Sequence, residues 1–125
     1  MQRKRPKHLN LIEIKQPLPA VVSILHRISG VLLFFPGIPV LLCGLQMALA
    51  SPQSYAELQS SLASPLIKGA SMLALWFLLH HFCAGIRHLM LDLHYGIALE
   101  QARMSSKLVL VAGAILTLLI GAAIW

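Results

Sequence analysis

The sequence predicts an all-α membrane protein with three transmembrane helices. Of its 125 residues, 58% are hydrophobic and only 11% are charged, whereas soluble domains carry about a quarter charged residues. The apolar residues fall into long runs, and 29 uncharged residues separate Arg27 from Glu57. This composition excludes a disordered chain. It also excludes a disulfide scaffold, because the only cysteines are Cys43 and Cys83, each inside an apolar run.

Residues 1–19 form a basic N-terminal arm. The net charge is +6, and half of the ten Lys and Arg residues lie in this arm: Arg3, Lys4, Arg5, Lys7 and Lys15. A basic segment ahead of an apolar run is typical of a topology signal. Nucleic-acid binding is the weaker interpretation, since no RNA-binding pattern accompanies the charge.

The first transmembrane helix is predicted over residues 20–50, because about 20 apolar residues suffice to cross a bilayer. Pro17 and Pro19 mark its start. Pro36 and Pro39 fall inside it and should kink it, which helices in lipid tolerate.

The rest of the chain contains two more spans. Residues 51–64, rich in serine, are expected to form a periplasmic loop with a short amphipathic turn. The second helix is predicted over residues 65–93 and the third over residues 107–125, joined by a cytoplasmic loop at 94–106.

With three spans placed in this way, all the cations except Lys68 lie on one side of the membrane. The positive-inside rule therefore predicts a cytoplasmic N-terminus and a periplasmic C-terminus.

Polar residues inside apolar spans are costly and mark candidate functional sites. In the second helix, one stripe repeats at intervals of three and four residues: His81, Gly85, His88 and Asp92. His80 and Arg87 define a second stripe about 100° away. A helix with two polar stripes is not expected to face lipid on either of them.

A histidine within the membrane can ligate haem iron, relay protons or pack by hydrogen bonding. Gly85, one turn from His81, leaves room for a flat macrocycle. Arg87 and His88 lie nearer the cytoplasmic interface, where cationic donors can pair with haem propionates. One candidate ligand in a small chain cannot supply both axial positions, so a haem site requires a partner chain. Asp92 can equally be a residue at the helix end that pairs with Arg87 or Arg27.

A second cluster lies at the start of the first helix and contains Ser23, His26, Arg27 and Gly30. Ser23 and Arg27 are four residues apart, so a hydroxyl and a guanidinium share one face. Together they can hydrogen-bond the oxygens of a quinone. The alternative is that Arg27 snorkels to the interface and Ser23 back-bonds its own helix. No catalytic triad, phosphate loop or zinc spacing is visible, which favours a non-catalytic subunit.

Two motifs carry a resemblance to a known family. The segments Ser23-Ile-Leu-His-Arg-Ile-Ser-Gly30 and His81-Phe-Cys-Ala-Gly-Ile-Arg-His-Leu-Met-Leu-Asp92, with the early Arg5-Pro6, resemble the signatures of the cytochrome b556 subunit of succinate dehydrogenase. The similarity covers essentially the whole chain. It implies a multi-pass membrane anchor of respiratory complex II in the bacterial inner membrane.

The resemblance also implies cofactors and partners. His81 would be one axial ligand of haem b, with the other supplied by a second three-helix anchor subunit bundled with this one. Arg27, Arg87 and His88 would pair with the propionates, and Ser23 and Arg27 would line a ubiquinone site. An iron–sulfur subunit and a flavoprotein subunit would deliver electrons from succinate. Two alternatives remain open: an anchor of the haem-free fumarate reductase type, or a small structural or proton-relay membrane subunit.

Overall fold

The computed structural model describes residues 14–125, and every regular element within that range is helical. The elements are α1 (Leu18–Leu32), a π-helical turn (Leu33–Gly37), α2 (Ile38–Ala50), α3 (Pro52–Ala63), α4 (Pro65–Asp92) and α5 (Leu99–Ile124). Within residues 14–125, three helical stretches are long and apolar enough to cross a membrane: Leu18–Ala50, Pro65–Asp92 and Leu99–Ile124. The predicted all-α class with three membrane helices is thus confirmed. The basic arm lies mostly outside the described residues.

The first span changes its helical geometry where the sequence predicts a kink. Pro36 lies inside the π-helical turn between α1 and α2. Proline has no N–H to donate, and its ring clashes with the carbonyl four residues earlier. A single wider turn accommodates both effects, as π-bulges do in other helices. Leu18–Ala50 therefore continues as one 33-residue span.

The segment expected to be a loop with a short turn instead contains the 12-residue helix α3. Ser51 caps this helix, because its hydroxyl accepts from the Ser54 backbone N–H while the Ser54 hydroxyl accepts from the Ser51 N–H. Ser54 also donates to the Met47 carbonyl at 2.8 Å, which ties α3 to the end of α2. Pro52 occupies the first helical position, where the missing N–H costs nothing. Serine and proline here start a helix.

Helix α5 begins at Leu99, well before the apolar run that predicts it. The apolar run marks only the part of a helix that lies in hydrocarbon, so the polar first turns of α5 are not predicted from it. Between α4 and α5 the chain turns sharply. His94 has φ 64°, and the Tyr95 and His94 N–H groups donate to the carbonyls of Met90 and Leu91. This is the hydrogen-bond pattern of a Schellman cap, with histidine in the position that usually holds glycine.

Helix α4 packs against both α1 and α5, and α1 and α5 also contact each other. The face of α5 toward the protein is a seam of buried, mostly small residues spaced three or four apart: Ser106, Val109, Gly113, Thr117 and Gly121. A Cβ on Gly113 would lie 3.5 Å from the His80 Cα, so the two backbones approach closely there. Small residues at such spacing let membrane helices pack tightly.

Most large apolar side chains point outward. Phe35 is 70% exposed and Leu41 is 71% exposed, both on the first span. An apolar outer surface suits lipid or another membrane helix, since water would not stabilise it. The buried polar residues of α4 are therefore the informative part of the fold.

Candidate functional site

Three histidines meet where α1 packs against α4. The rings of His26 and His81 stack with centroids 4.2 Å apart and planes 17° from parallel. The His88 ring lies 5.0 Å from that of His26 at a tilt of 44°. We call His26, His81 and His88 the histidine cluster. His81 and His88 lie on the same predicted stripe of α4, and His26 of α1 contacts both of them.

His81 is held through one ring nitrogen. Its Nδ1 lies 3.1 Å from the His26 carbonyl oxygen and 3.0 Å from the Ser29 hydroxyl oxygen. The Ser29 hydroxyl itself donates to the same carbonyl at 2.8 Å. Because a carbonyl oxygen can only accept, this arrangement puts a proton on Nδ1 of His81. Nε2 then carries a lone pair, and it makes no hydrogen bond to residues 14–125.

Two glycines border the cluster. A Cβ on Gly30 would approach the His81 Cε1 to 3.0 Å, which is tighter than ordinary contact. A Cβ on Gly85 would lie 3.6 Å from the His26 Nε2. Gly30 is therefore the position where the absent side chain admits the His81 ring, and Gly85 provides space beside His26.

The second predicted stripe of α4 faces α5. His80 is completely buried, stacks on Trp76 at 5.3 Å, and has no hydrogen-bond partner for either ring nitrogen within the described residues. Arg87 is also buried, with 6% of its surface exposed. Both predicted stripes of α4 thus contact helices of the same chain, as expected from their polarity, except at the exposed Asp92.

Arg87 is directed away from the histidine cluster. Its Nε donates to the Ser105 hydroxyl at 3.0 Å, and its Nη2 donates to the Ala102 carbonyl at 3.3 Å. Both acceptors belong to α5. The structure therefore brings His81 and His88 together with α1, whereas it holds Arg87 on the face of α4 that contacts α5.

The remaining candidates lie at the start of α1 and the end of α4. Ser23 is half-buried and Arg27 is exposed, one turn apart on α1. Asp92 is exposed at the last position of α4, and among residues 14–125 it forms no ion pair with Arg27 or Arg87.

One residue of the site was not predicted from the sequence. Ser29 is completely buried and contacts His81 directly. It stands within the first motif, three residues after His26, so a search for residues on the His26 face of the helix could have found it. In the part of the chain that the structure describes, no group of three or more His, Cys, Asp or Glu side chains is arranged to hold a metal ion.

Comparison with known proteins gives consistent matches along the chain. The model of the family described as succinate dehydrogenase/fumarate reductase transmembrane subunit matches residues 1–120. A succinate dehydrogenase cytochrome b556 subunit from Coxiella burnetii is 38% identical over the full length of both chains.

Two further relatives are also succinate dehydrogenase cytochrome subunits. The cytochrome b556 subunit of Paracoccus denitrificans is 39% identical, with 93% of this chain and 91% of that protein aligned. The mitochondrial cytochrome b560 subunit of Dictyostelium discoideum is 32% identical over 90% of this chain and 59% of that protein.

Proposed function

Because this chain belongs to the succinate dehydrogenase/fumarate reductase transmembrane subunit family, within its cytochrome b556 branch, we propose that it anchors the complex in the membrane. In the proposed function it also helps bind haem b and ubiquinone, and it passes electrons from succinate oxidation to quinone. The single observation that carries the haem assignment is the fixed ring of His81. The chain itself is a non-catalytic subunit in this account.

The histidine cluster fits an iron ligand. Histidines that bind metals usually donate the second ring N–H to a carbonyl or another acceptor, which fixes the tautomer and the ring orientation. His81 has this arrangement, with Nδ1 between the His26 carbonyl and the Ser29 hydroxyl. Its Nε2 is then the atom offered to iron. When bound, haem b would supply a one-electron carrier inside the membrane.

Cationic groups near the cluster would pair with the haem propionates. His88 lies two turns beyond His81 and contacts His26 in the cluster. Arg27 follows His26 on α1 and is exposed, so it is free to turn toward a propionate. The expected propionate role of Arg87 stays a prediction, and its hydrogen bonds to α5 favour another partner.

Ser23 and Arg27 form the proposed quinone contact. The hydroxyl and the guanidinium would hydrogen-bond the quinone oxygens, where negative charge grows as the ring is reduced. Both residues lie in the first turns of the first span, next to the side that faces the soluble subunits in the proposed orientation. The exposed position of Arg27 supports a site completed by partner subunits.

The partners follow from the family and from geometry. Subunits of this family assemble with the other subunits of complex II, and the proposed neighbours are the iron–sulfur subunit, the flavoprotein subunit and a second three-helix anchor. That second anchor would supply a second histidine to hold the haem. The proposed location is the bacterial inner membrane with the N-terminus in the cytoplasm, which the bacterial relatives and the cation distribution support.

This function can be tested in the purified complex by measuring its activity with two electron acceptors, a quinone and a soluble acceptor. Ser23→Ala and Arg27→Ala should each lower quinone reductase activity, by about tenfold or more for Arg27, because hydrogen bonds to charged groups contribute about 1.5–3 kcal/mol. Succinate oxidation with a soluble acceptor should continue, and Arg103→Ala, which removes an exposed cation of α5, should leave both activities unchanged. Equal loss of both activities would indicate misassembly and would refute the quinone assignment.

The alternatives predict a different visible spectrum. An anchor of the haem-free fumarate reductase type, or a structural or proton-relay subunit, would give a purified complex without haem absorption. The proposed function requires haem bands that respond to succinate.

A further inference from the structure

We propose that the groove between the end of α4 and the start of α5 binds an anionic phospholipid, with the lipid phosphate on Arg87 and an acyl chain along the apolar wall. This site is separate from the histidine cluster and from the quinone contact.

Arg87 has a buried charge that no residue among 14–125 neutralises. Only 6% of its surface is exposed, and its two hydrogen bonds end on a hydroxyl and a carbonyl, neither of which is charged. No carboxylate within residues 14–125 forms an ion pair with it. A guanidinium buried at membrane depth without a counter-charge is strongly unfavourable. An anion from outside the described chain would complete the site.

The groove beside Arg87 has the shape and chemistry for a lipid chain. It has a volume of about 280 Å³, and apart from Arg87 and Ser105 its walls are almost entirely apolar. Apolar wall residues come from both helices: Cys83, Ile86, Met90, Leu108, Val109 and Ala112. Met90 and Leu108 are 51% and 67% exposed, so the groove opens on the outer surface of the helix pair.

Charge at this end of the protein also favours an acidic headgroup. Arg103 and Lys107 are exposed on the first turns of α5, next to Ser105, which contacts Arg87. Basic pockets between membrane helices on the cytoplasmic side are typical sites for acidic lipid headgroups. The planar guanidinium group of an arginine suits a phosphate, because it can donate two parallel hydrogen bonds to the phosphate oxygens.

A haem propionate is a poorer partner for Arg87. Arg87 is six positions after His81, which places the two side chains about 120° apart around α4. His81 contacts α1, whereas Arg87 contacts α5. A free phosphate ion would satisfy the charge but would leave the apolar groove unexplained.

The test uses the detergent-solubilised complex containing this subunit. Native mass spectrometry after delipidation measures the binding of added phosphatidylglycerol, phosphatidylcholine or inorganic phosphate. Arg87→Gln should weaken phosphatidylglycerol binding at least tenfold. Ala112→Leu, which fills the groove and keeps the charge, should weaken it similarly. Lys68→Gln, which removes a cation at the opposite end of α4, should have less than a threefold effect.

Each other outcome overturns the proposal. Equal binding of phosphatidylcholine and phosphatidylglycerol would show no preference for an anionic headgroup. Competition by millimolar inorganic phosphate, with no effect of Ala112→Leu, would indicate a simple anion site. Loss of haem absorption in Arg87→Gln, with phosphatidylglycerol binding retained, would assign Arg87 to the propionates. If the complex with Arg87→Gln fails to assemble, the complex with Ala112→Leu still provides a test. Undiminished lipid binding by that complex would refute the proposed lipid site in the groove.

Discussion

The buried hydroxyl of Ser29 lies 3.0 Å from Nδ1 of His81 and links two helices across the site. With the His26 carbonyl it orients the ring, so that Nε2 is the nitrogen left for a ligand. The proposed haem site therefore depends on α1 as well as on α4.

Replacing Ser29 with alanine should weaken haem binding without abolishing it. The His26 carbonyl still accepts from Nδ1, so the ring keeps one of its two partners. Loss of a hydrogen bond that orients a metal ligand commonly costs about 10–100-fold in affinity. We expect haem to dissociate about tenfold faster from the Ser29→Ala complex, measured by transfer to an apoprotein acceptor. Ser105→Ala removes a similar hydroxyl of α5, which contacts Arg87 and not the histidine cluster, and should not change the rate.

Adding a methyl group at Gly30 should disturb the same ring. The new Cβ would meet His81 Cε1 at 3.0 Å, so the ring must shift. Gly30→Ala is expected to lower the haem content of the purified complex severalfold, as measured from the reduced absorption spectrum. Gly44→Ala lies in the same span with no atom within 4 Å of its Cβ and should retain normal haem. Normal haem content in both variants would contradict the proposed ring position.

Close packing between α4 and α5 should be sensitive to size at Gly113. A Cβ there fits at 3.5 Å from the His80 backbone, whereas a leucine would force the helices apart. Overpacking typically costs about 1–3 kcal/mol. Gly113→Leu should therefore lower the melting temperature of the solubilised complex, and Gly113→Ala should lower it little. The control is Gly69→Leu, since a Cβ on Gly69 meets no atom within 4 Å.

The turn after α4 should become more stable when His94 is replaced by glycine. His94 has φ 64°, a conformation that costs an L-residue about 1 kcal/mol and costs glycine almost nothing. His94→Gly should slow amide hydrogen exchange in residues 93–98, and His94→Val should accelerate it. Faster exchange in the glycine variant would show that the histidine side chain itself stabilises the turn.

The sequence predicts much of this fold because a bilayer imposes simple rules. Apolar length and sparse charge located all three spans, and helical periodicity separated the His81 stripe from the stripe that holds Arg87. The helix cap that starts α3 was not predicted from the sequence. Ser51 and Pro52 can equally end a helix or begin one, and only their hydrogen bonds decide.

The functional site could be predicted only in part, because some of its contacts also depend on tertiary packing. Periodicity places His81 and His88 on one face of α4, but it does not say which neighbouring helix covers that face. Packing brought Ser29 into contact with His81 and turned Arg87 toward Ser105. Contacts between helices depend on tertiary packing, which a periodic pattern along one helix does not contain.

The most direct test of the central claim is the reduced absorption spectrum of the purified complex with His81→Ala, compared with His80→Phe. His80 is the adjacent buried histidine on the α5 side, so its replacement by an apolar ring of similar size provides the matched control. We expect the haem bands to be lost or shifted in His81→Ala and unchanged in His80→Phe. Wild-type haem content and bands in His81→Ala would contradict the assignment of His81 as the iron ligand.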